Sequence, residues 1–296
     1  TYTYKPNHSI RFNYNGNTTQ PTVNQLQPLR NNNNYFYQII GNPDLKPSFS
    51  NSFSISHYDY NFLKDLWDYQ SLSIRVTQNA ITTNSMVDLD SGKTTSQPVN
   101  VNGNYFIGVS NGLAFKIKKI DTRFGFYPSI SFNRYAMIIN SQKGYSKTFS
   151  PELWMSVSKS KEKKYELSVG NGITYNINRT SQNDTKIQYY TNRLSFYGSL
   201  YIKKVWSLTT DYTYYFRQRT VDADKDLKTH LWNARLQRTF KHDEFTAYFM
   251  IRDILNQNIG IERNFYGNTY TQETNDRLKR YFMIGFTWNF KNKGSK

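Results

Sequence analysis

The sequence predicts an all-β fold, an antiparallel up-and-down β-barrel that crosses a membrane with its strands. Three observations carry this reading. Apolar residues recur at every second position in segment after segment, the period of a β-strand. Short, Lys-rich turns alternate with longer polar loops between those segments, the sorting found in outer-membrane barrels, whose turns are periplasmic and whose loops are extracellular. Charged residues within the strands fall on the parity opposite the apolar one, where a watery lumen would solvate them.

The closing segment, Arg280-Tyr-Phe-Met-Ile-Gly-Phe-Thr-Trp-Asn-Phe290, shows the pattern most plainly. Phe282, Ile284, Phe286, Trp288 and Phe290 share one parity, and Met283, Gly285, Thr287 and Asn289 the other. A tilted strand of about 9–11 residues spans a bilayer.

From the start of the chain, Thr1–Tyr4 reads as a strand end and Lys5–His8 as a tight turn. In His8–Gly16, Ile10, Phe12 and Tyr14 oppose Arg11, Asn13 and Asn15. Asn17 to Ser48 is a long polar loop containing Asn31–Asn34. Asn51–Tyr60 is a strand with Phe53 and Ile55, turned by Phe62–Asp65. Trp67–Ile81 follows, with Leu72, Ile74 and Val76 opposite Arg75 and Thr77, and then a polar loop over Thr82–Gly103. Tyr105, Ile107, Val109, Leu113, Phe115 and Ile117 form the next apolar row, turned by Lys118–Asp121. Phe124, Phe126, Ile130 and Phe132 alternate with Arg123, Gly125, Ser129 and Ser131.

Ala136–Thr148 is expected to loop over. Phe149, Leu153, Met155 and Val157 then mark a strand, ended by a charged turn at Ser160–Lys164. Tyr165 to Ile177 alternates in the same way, Arg179–Thr185 is polar, and Leu194, Phe196, Leu200 and Ile202 form the next row. Lys203-Lys204 turns it into Trp206, Leu208, Tyr212, Tyr214 and Phe216, followed by the polar loop Val221–Lys228. Trp232, Ala234, Leu236 and Phe240 turn through Lys241–Glu244 into Phe245, Ala247, Phe249 and Ile251. Asp253–Lys279 is a final long loop with room for a short helix and its own hairpin. The total is roughly thirteen strands. Residues 1–290 read as one barrel domain and 291–296 as a polar tail.

Charge placement gives an independent check. Arg11, Arg75, Arg123, Arg193, Arg217, Arg235 and Arg252 all oppose the apolar rows, as do Lys116, Glu166 and Asp211. On a lipid face, a midplane Arg would cost about 2–4 kcal/mol. Arg238 and Asp59 lie on the apolar parity, but near periplasmic ends, where the cost falls to about 0–1 kcal/mol.

The composition agrees. The 296 residues include 25 Tyr, 20 Phe and no Cys, so disulfides and thiolate metal sites are excluded. The mean hydropathy of −0.75 looks soluble, but a barrel dilutes its apolar rows with lumen residues and loops. There is no apolar run of about 18 residues, so no transmembrane helix is expected. The chain opens in strand-like Thr-Tyr-Thr-Tyr without a signal peptide, as expected of a mature or truncated chain.

A net charge of +17 with many aromatics also fits a soluble β protein that binds nucleic acid or glycans. The sorting of charges and loops favours the barrel, with the lipid bilayer and not nucleic acid as partner. A passive outer-membrane pore or structural barrel is the other membrane alternative.

No catalytic constellation, metal site or cofactor site appears. His8, His57, His230 and His242 are scattered, with no i,i+4 pair. Asp222-Ala-Asp224-Lys-Asp226 lacks the Gly and terminal Glu of a calcium loop. The candidate ligand-binding residues are Arg193, Arg217 and Arg252, expected in the extracellular half of the lumen. There they would focus positive potential on an unknown small anionic solute, or else pair with carboxylates of the wall or plug. Asn17–Ser48 and Asp253–Lys279 are the loops expected to capture ligand.

Specific motifs add a family resemblance. Gly41-Asn-Pro-Asp-Leu-Lys-Pro47, ahead of a descending strand, resembles the "GNPxLKPE" motif of TonB-dependent outer-membrane receptors. The motif positions are Gly41, Asn42, Pro43, Leu45, Lys46 and Pro47; Ser48 stands where the family has an acid. The closing strand with Phe282, Phe286, Trp288 and Phe290, together with Gln20–Pro28 and Asp253-Ile-Leu-Asn-Gln-Asn258, is similar to the same group. Together they most resemble the outer-membrane β-barrel family of Bacteroidetes TonB-dependent receptors. The resemblance implies the C-terminal portion of a barrel of about 22 strands around a plug. It also implies as partners the missing N-terminal plug and remaining strands, the TonB complex and the barrel assembly machinery, with energised import of a solute as the activity.

Overall fold

The computed structural model describes residues 1–28, 30–31, 34–88, 90–182, 184–220, 225–241, 244–266 and 269–290. The polar tail, His242, and Asp222 and Asp224 of the acidic loop lie outside the described residues. The strands are β1 (Tyr2–Lys5), β2 (His8–Thr19), β3 (Arg30–Asn31), β4 (Tyr37–Ile40), β5 (Ser48–Asn61), β6 (Leu66–Gln78), β7 (Ala80–Val87), β8 (Thr94–Val101), β9 (Asn104–Ile117) and β10 (Thr122–Ile139). They continue with β11 (Gln142–Lys161), β12 (Tyr165–Thr180), β13 (Thr185–Ile202), β14 (Trp206–Arg217), β15 (Leu227–Phe240), β16 (Phe245–Arg252), β17 (Gly260–Tyr266), β18 (Thr269–Asn275) and β19 (Tyr281–Trp288). A short helix, α1 (Val23–Leu26), lies between β2 and β3 and is the one helix among the described residues.

The wall is an antiparallel meander, β1-β2-β5-β6-β9-β10-β11-β12-β13-β14-β15-β16-β19, each strand paired with the next. Short turns join it at one end: Pro6-Asn7, Phe62–Asp65, Lys118–Asp121, Glu162–Lys164, Lys203–Val205 and residues 241–244. Non-Gly residues take positive φ in these turns, among them Asn7, Asp65, Asp121, Lys163 and Lys204, which lets adjacent strands reverse tightly. Among the described residues no register joins β1 to β19, so the wall is an open sheet with these two edges.

The other six strands lie inside segments that the sequence presents as polar loops. β7 and β8 form a hairpin over 80–101, because the strand expected to run to Ile81 ends at Gln78 and turns at Asn79, whose φ is 50°. β17 and β18 form another within 253–279, as expected, and β3 and β4 a short pair within 17–48. The hairpins are therefore ordered extensions of the rim. The expected helix in 253–279 is a turn instead: Asn256 N–H donates to Asp253 O at 2.9 Å and no helical run follows.

Two further expected loops are strand. Ala136–Thr148 continues β10 and β11 without a register slip to a two-residue turn, Asn140-Ser141, with φ of 49° and 62°. Positive φ at both central residues matches the right-handed twist of the flanking strands. The pairing β12–β13 likewise runs to Thr180↔Thr185. Pro128 and Pro151 interrupt the ladders β9–β10 and β11–β12 locally, because proline has no N–H to give. The register is the same on either side of each gap.

The register sorts side chains into two faces. Leu113, Phe126 and Met155 lie on one rung of one face, and Leu153 and Ile173 on another. This face is uncovered: Ile130 is 48% exposed and Val169 44%, both within long paired strands. The small buried core of Ala80, Val101 and Ala136 sits at the rim, with Tyr145 and Ile138 against it. No described helix is long and apolar enough to cross a membrane. An apolar sheet face of this extent with no protein layer over it calls for lipid as its solvent.

The opposite face is polar with flat aromatics. Trp154 lies over Gly172, where a Cβ would come within 2.5 Å of its ring. Trp67 stacks on Tyr69 at 6.0 Å with the rings nearly parallel. Glycine beneath an aromatic lets the ring lie against the backbone, so bulky residues line this face without filling it.

Candidate functional site

Arg193, Arg217 and Arg252 all belong to the polar face. Arg193 pairs with Tyr215 across β13–β14, and Arg217 with Thr191, which puts the two arginines on one face and diagonal to each other. Cross-strand diagonal neighbours are about 7–8 Å apart, within reach of one shared anion. Arg252 lies one residue beyond the Ala234↔Ile251 pair of β15–β16, two strands away and lower on the wall. The three arginines thus descend from the loop rim into the polar face.

Their environments differ. Arg193 and Arg252 are exposed, whereas Arg217 is only 5% exposed. Its guanidinium lies 4.5 Å from the centre of the Tyr189 ring and donates through Nη1 to the carbonyl of Arg263 on β17. Arg263 in turn donates to Gln272 Oε1 on β18 at 2.9 Å and to the carbonyl of Lys225 at 2.6 Å. Arg217 is therefore a clamp that seats the hairpin β17–β18 against the wall.

The other polar-face arginines are mostly engaged. Arg123 pairs with Asp65 at 2.5 Å beside a short turn, and Arg235 lies 4.1 Å over the Tyr248 ring. Arg75 Nε donates to Ser52 Oγ at 3.2 Å. It borders a cavity of about 200 Å³, also lined by Asn13, Asn15, Ser54 and Phe106. A small polar solute fits that volume.

The two loop motifs are built as structural joints. Gly41 has no alternative, since a Cβ there would lie 1.9 Å from the carbonyl oxygen of Gln27. Asn42 N–H donates to Gln25 O at 2.6 Å, and its side-chain amide to Pro98 O at 3.0 Å. Lys46 N–H donates to Asn100 Oδ1 at 2.7 Å, and Asn100 Nδ2 returns a bond to Lys46 O at 2.9 Å. Leu45 is buried, and Ser48, only 9% exposed, starts β5. The motif therefore ties α1, itself capped by a Thr22–Gln25 capping box, to the hairpin β7–β8.

In 253–258, buried Asp253 accepts from the N–H groups of Gln257 at 2.9 Å and Asn258 at 3.0 Å. Asn256 and Asn258 then bind Arg280 N–H and Leu278 O, fixing the return into β19. Phe282 and Phe286 stack with Phe249 and Phe245 at 6.1 and 5.7 Å, and Trp288 and Phe290 extend that aromatic row.

The described histidines do not gather. His8 pairs with Asp59 at 2.9 Å, His57 with the Tyr4 hydroxyl at 2.8 Å and His230 with the Tyr212 hydroxyl at 2.7 Å. Among the described residues no three of His, Asp and Glu cluster as metal ligands. The sequence identifies the polar-face arginines and a hairpin within 253–279 but not the role of Arg217, because that rests on where the hairpin packs against the wall. The alternation in Gly260–Tyr266 and Thr269–Asn275, around a Gly-Asn pair, is the signal that marks the hairpin.

An up-and-down wall with one uncovered apolar face and a polar, arginine-bearing face opposite defines an outer-membrane β-barrel protein. The family model for the outer membrane protein beta-barrel family matches residues 1–288, and the chain belongs to that family. Its location is accordingly the outer membrane of a Gram-negative bacterium. Neither the curated proteins nor the solved structures gave a match.

Proposed function

We propose that the chain is barrel wall of an outer-membrane receptor that binds an extracellular solute and imports it with TonB-type energy coupling. The observation that carries the reading is the arginine staircase, with exposed Arg193 and Arg252 below the rim hairpin that Arg217 clamps. A cationic path from the rim into the polar face suits capture of an anionic solute. The resemblance of Gly41–Pro47 to the receptor motif supports the TonB-dependent class and a Bacteroidetes-like source.

The open edges at β1 and β19 support a larger barrel. Unpaired backbone groups cannot face hydrocarbon, so in this reading further strands close the wall and a plug controls the lumen. The wall contributes binding surface and a path, with no bond chemistry of its own. Uptake of small anionic solutes by cells with and without the gene, each with and without a protonophore, tests the proposal. Gene-dependent uptake that stops with the protonophore is expected. Gene-dependent uptake that survives it would make the protein a passive pore.

A further inference from the structure

The apolar outer face ends at the loop rim in a row of cations. Arg134 of β10 pairs with Lys147 of β11, Lys147 with Arg179 of β12, and Arg179 with Lys186 of β13. The four side chains belong to one rung on consecutive strands. The rung two residues below, toward the membrane, is Ile107, Phe132, Phe149 and Ile177. The row thus stands on the lipid-side face, immediately above the apolar band and outside the lumen.

Like charges directly opposite each other on neighbouring strands repel, and three successive pairs do so here. Among the described residues no ion pair neutralises any of the four. Asp184, two residues from Lys186 at the tip of β12–β13, makes none with the row. Lys147, Arg179 and Lys186 are exposed. Arg134 is held in place, its guanidinium 3.6 Å from the centre of the Tyr145 ring and 5.7 Å from that of Tyr105. Just above, Lys143 donates to Asn102 O and adds a further cation on the same face.

We propose that Arg134, Lys147, Arg179 and Lys186 form a binding site for the phosphorylated headgroups of outer-leaflet glycolipids. Strands about 4.8 Å apart make the row about 14 Å long, and the tilt of the wall steps it through the headgroup layer. Two or more phosphates bridging neighbouring cations would convert the repulsion into charge-assisted hydrogen bonds, with the Arg forks binding in two-pronged fashion. The acyl chains of the same lipid would then lie on Phe132, Phe149 and Ile177. The site depends on the membrane placement of the wall and not on import.

The test uses the full-length protein extracted from its own outer membrane in mild detergent. Bound phosphorylated glycolipid per protein is compared for the native chain, the quadruple variant Arg134→Gln, Lys147→Gln, Arg179→Gln and Lys186→Gln, and the control Lys159→Gln at the periplasmic end. The quadruple variant should retain about tenfold less glycolipid, and the control an unchanged amount. Equal retention by all three would overturn the proposal.

If the variant does not assemble, the delipidated native protein decides the matter. Its unfolding midpoint should rise with intact glycolipid and not with the dephosphorylated lipid or with inorganic phosphate. An equal rise with the dephosphorylated lipid would overturn the proposal, and an equal rise with inorganic phosphate would reduce the site to one for free phosphate.

Discussion

At the scale of single residues, position decides what each charge does. Arg193 and Arg252 are exposed on the polar face, so replacing both by Gln should slow association of an anionic solute about tenfold, with weaker salt dependence. Stopped-flow binding checks this, and an unchanged rate would remove them from the site. Arg217→Gln should act differently: losing the clamp on the Arg263 carbonyl should expose the hairpin 260–275 to protease while leaving the wall intact. Asp253→Ala removes the buried carboxylate that accepts from two N–H groups of the turn and should cost about 1–3 kcal/mol, read from the thermal midpoint of the assembled protein.

Asp88, at the tip of the hairpin β7–β8, offers a pH test outside the membrane. The Ser91 hydroxyl and then the backbone N–H groups of Asp90 and Ser91 hold its carboxyl below the ordinary 3.8. A depressed carboxyl contributes stability that is present above the unfolded value and lost as pH falls through the folded one. The tip should therefore stay ordered at neutral pH and loosen only in acid below the ordinary carboxylate range. Hydrogen exchange at Asp90 and Ser91 across that range would show it.

At the scale of elements, strands were legible in the sequence wherever apolar and polar residues alternate, because one face meets lipid and the other water. They were not legible above the membrane, where both faces meet water and the alternation lapses. Ala136–Thr148 looked like a loop for that reason, and its turn, Asn140-Ser141, lacks the glycine that usually announces a hairpin. The same lapse hid Arg134, Lys147, Arg179 and Lys186, whose shared rung depends on register and not on local sequence.

The motif Gly41–Pro47 was legible as a motif but not as a joint, since its partners Gln25, Gln27, Pro98 and Asn100 are distant or unmarked in sequence. Amides of 142–147 should exchange slowly in pairs with 134–139, broken only at the turn. Uniformly fast exchange over 136–148 would restore the loop reading.

At the scale of the whole molecule, stability comes from the ladder and from lipid, because among the described residues few hydrophobic side chains are buried. Substitutions should therefore follow parity and not burial. Leu153→Arg on the apolar face should cost about 2–4 kcal/mol, whereas Ser156→Arg on the polar face should be tolerated. The two faces were legible because every rung repeats the same sorting across many strands. The open edges were not, since what pairs with β1 and with β19 is a property of the assembled wall.

The most direct test of the account is a label scan along β11. The chain has no cysteine, so single cysteines at Glu152, Leu153, Trp154, Met155, Ser156 and Val157 report cleanly. Spin labels on the protein in its membrane should be oxygen-accessible, as in lipid, at 153, 155 and 157, and open to a water-soluble relaxant at 152, 154 and 156. Accessibility without that alternation, or with water on the odd positions, would contradict a wall set between lipid and lumen.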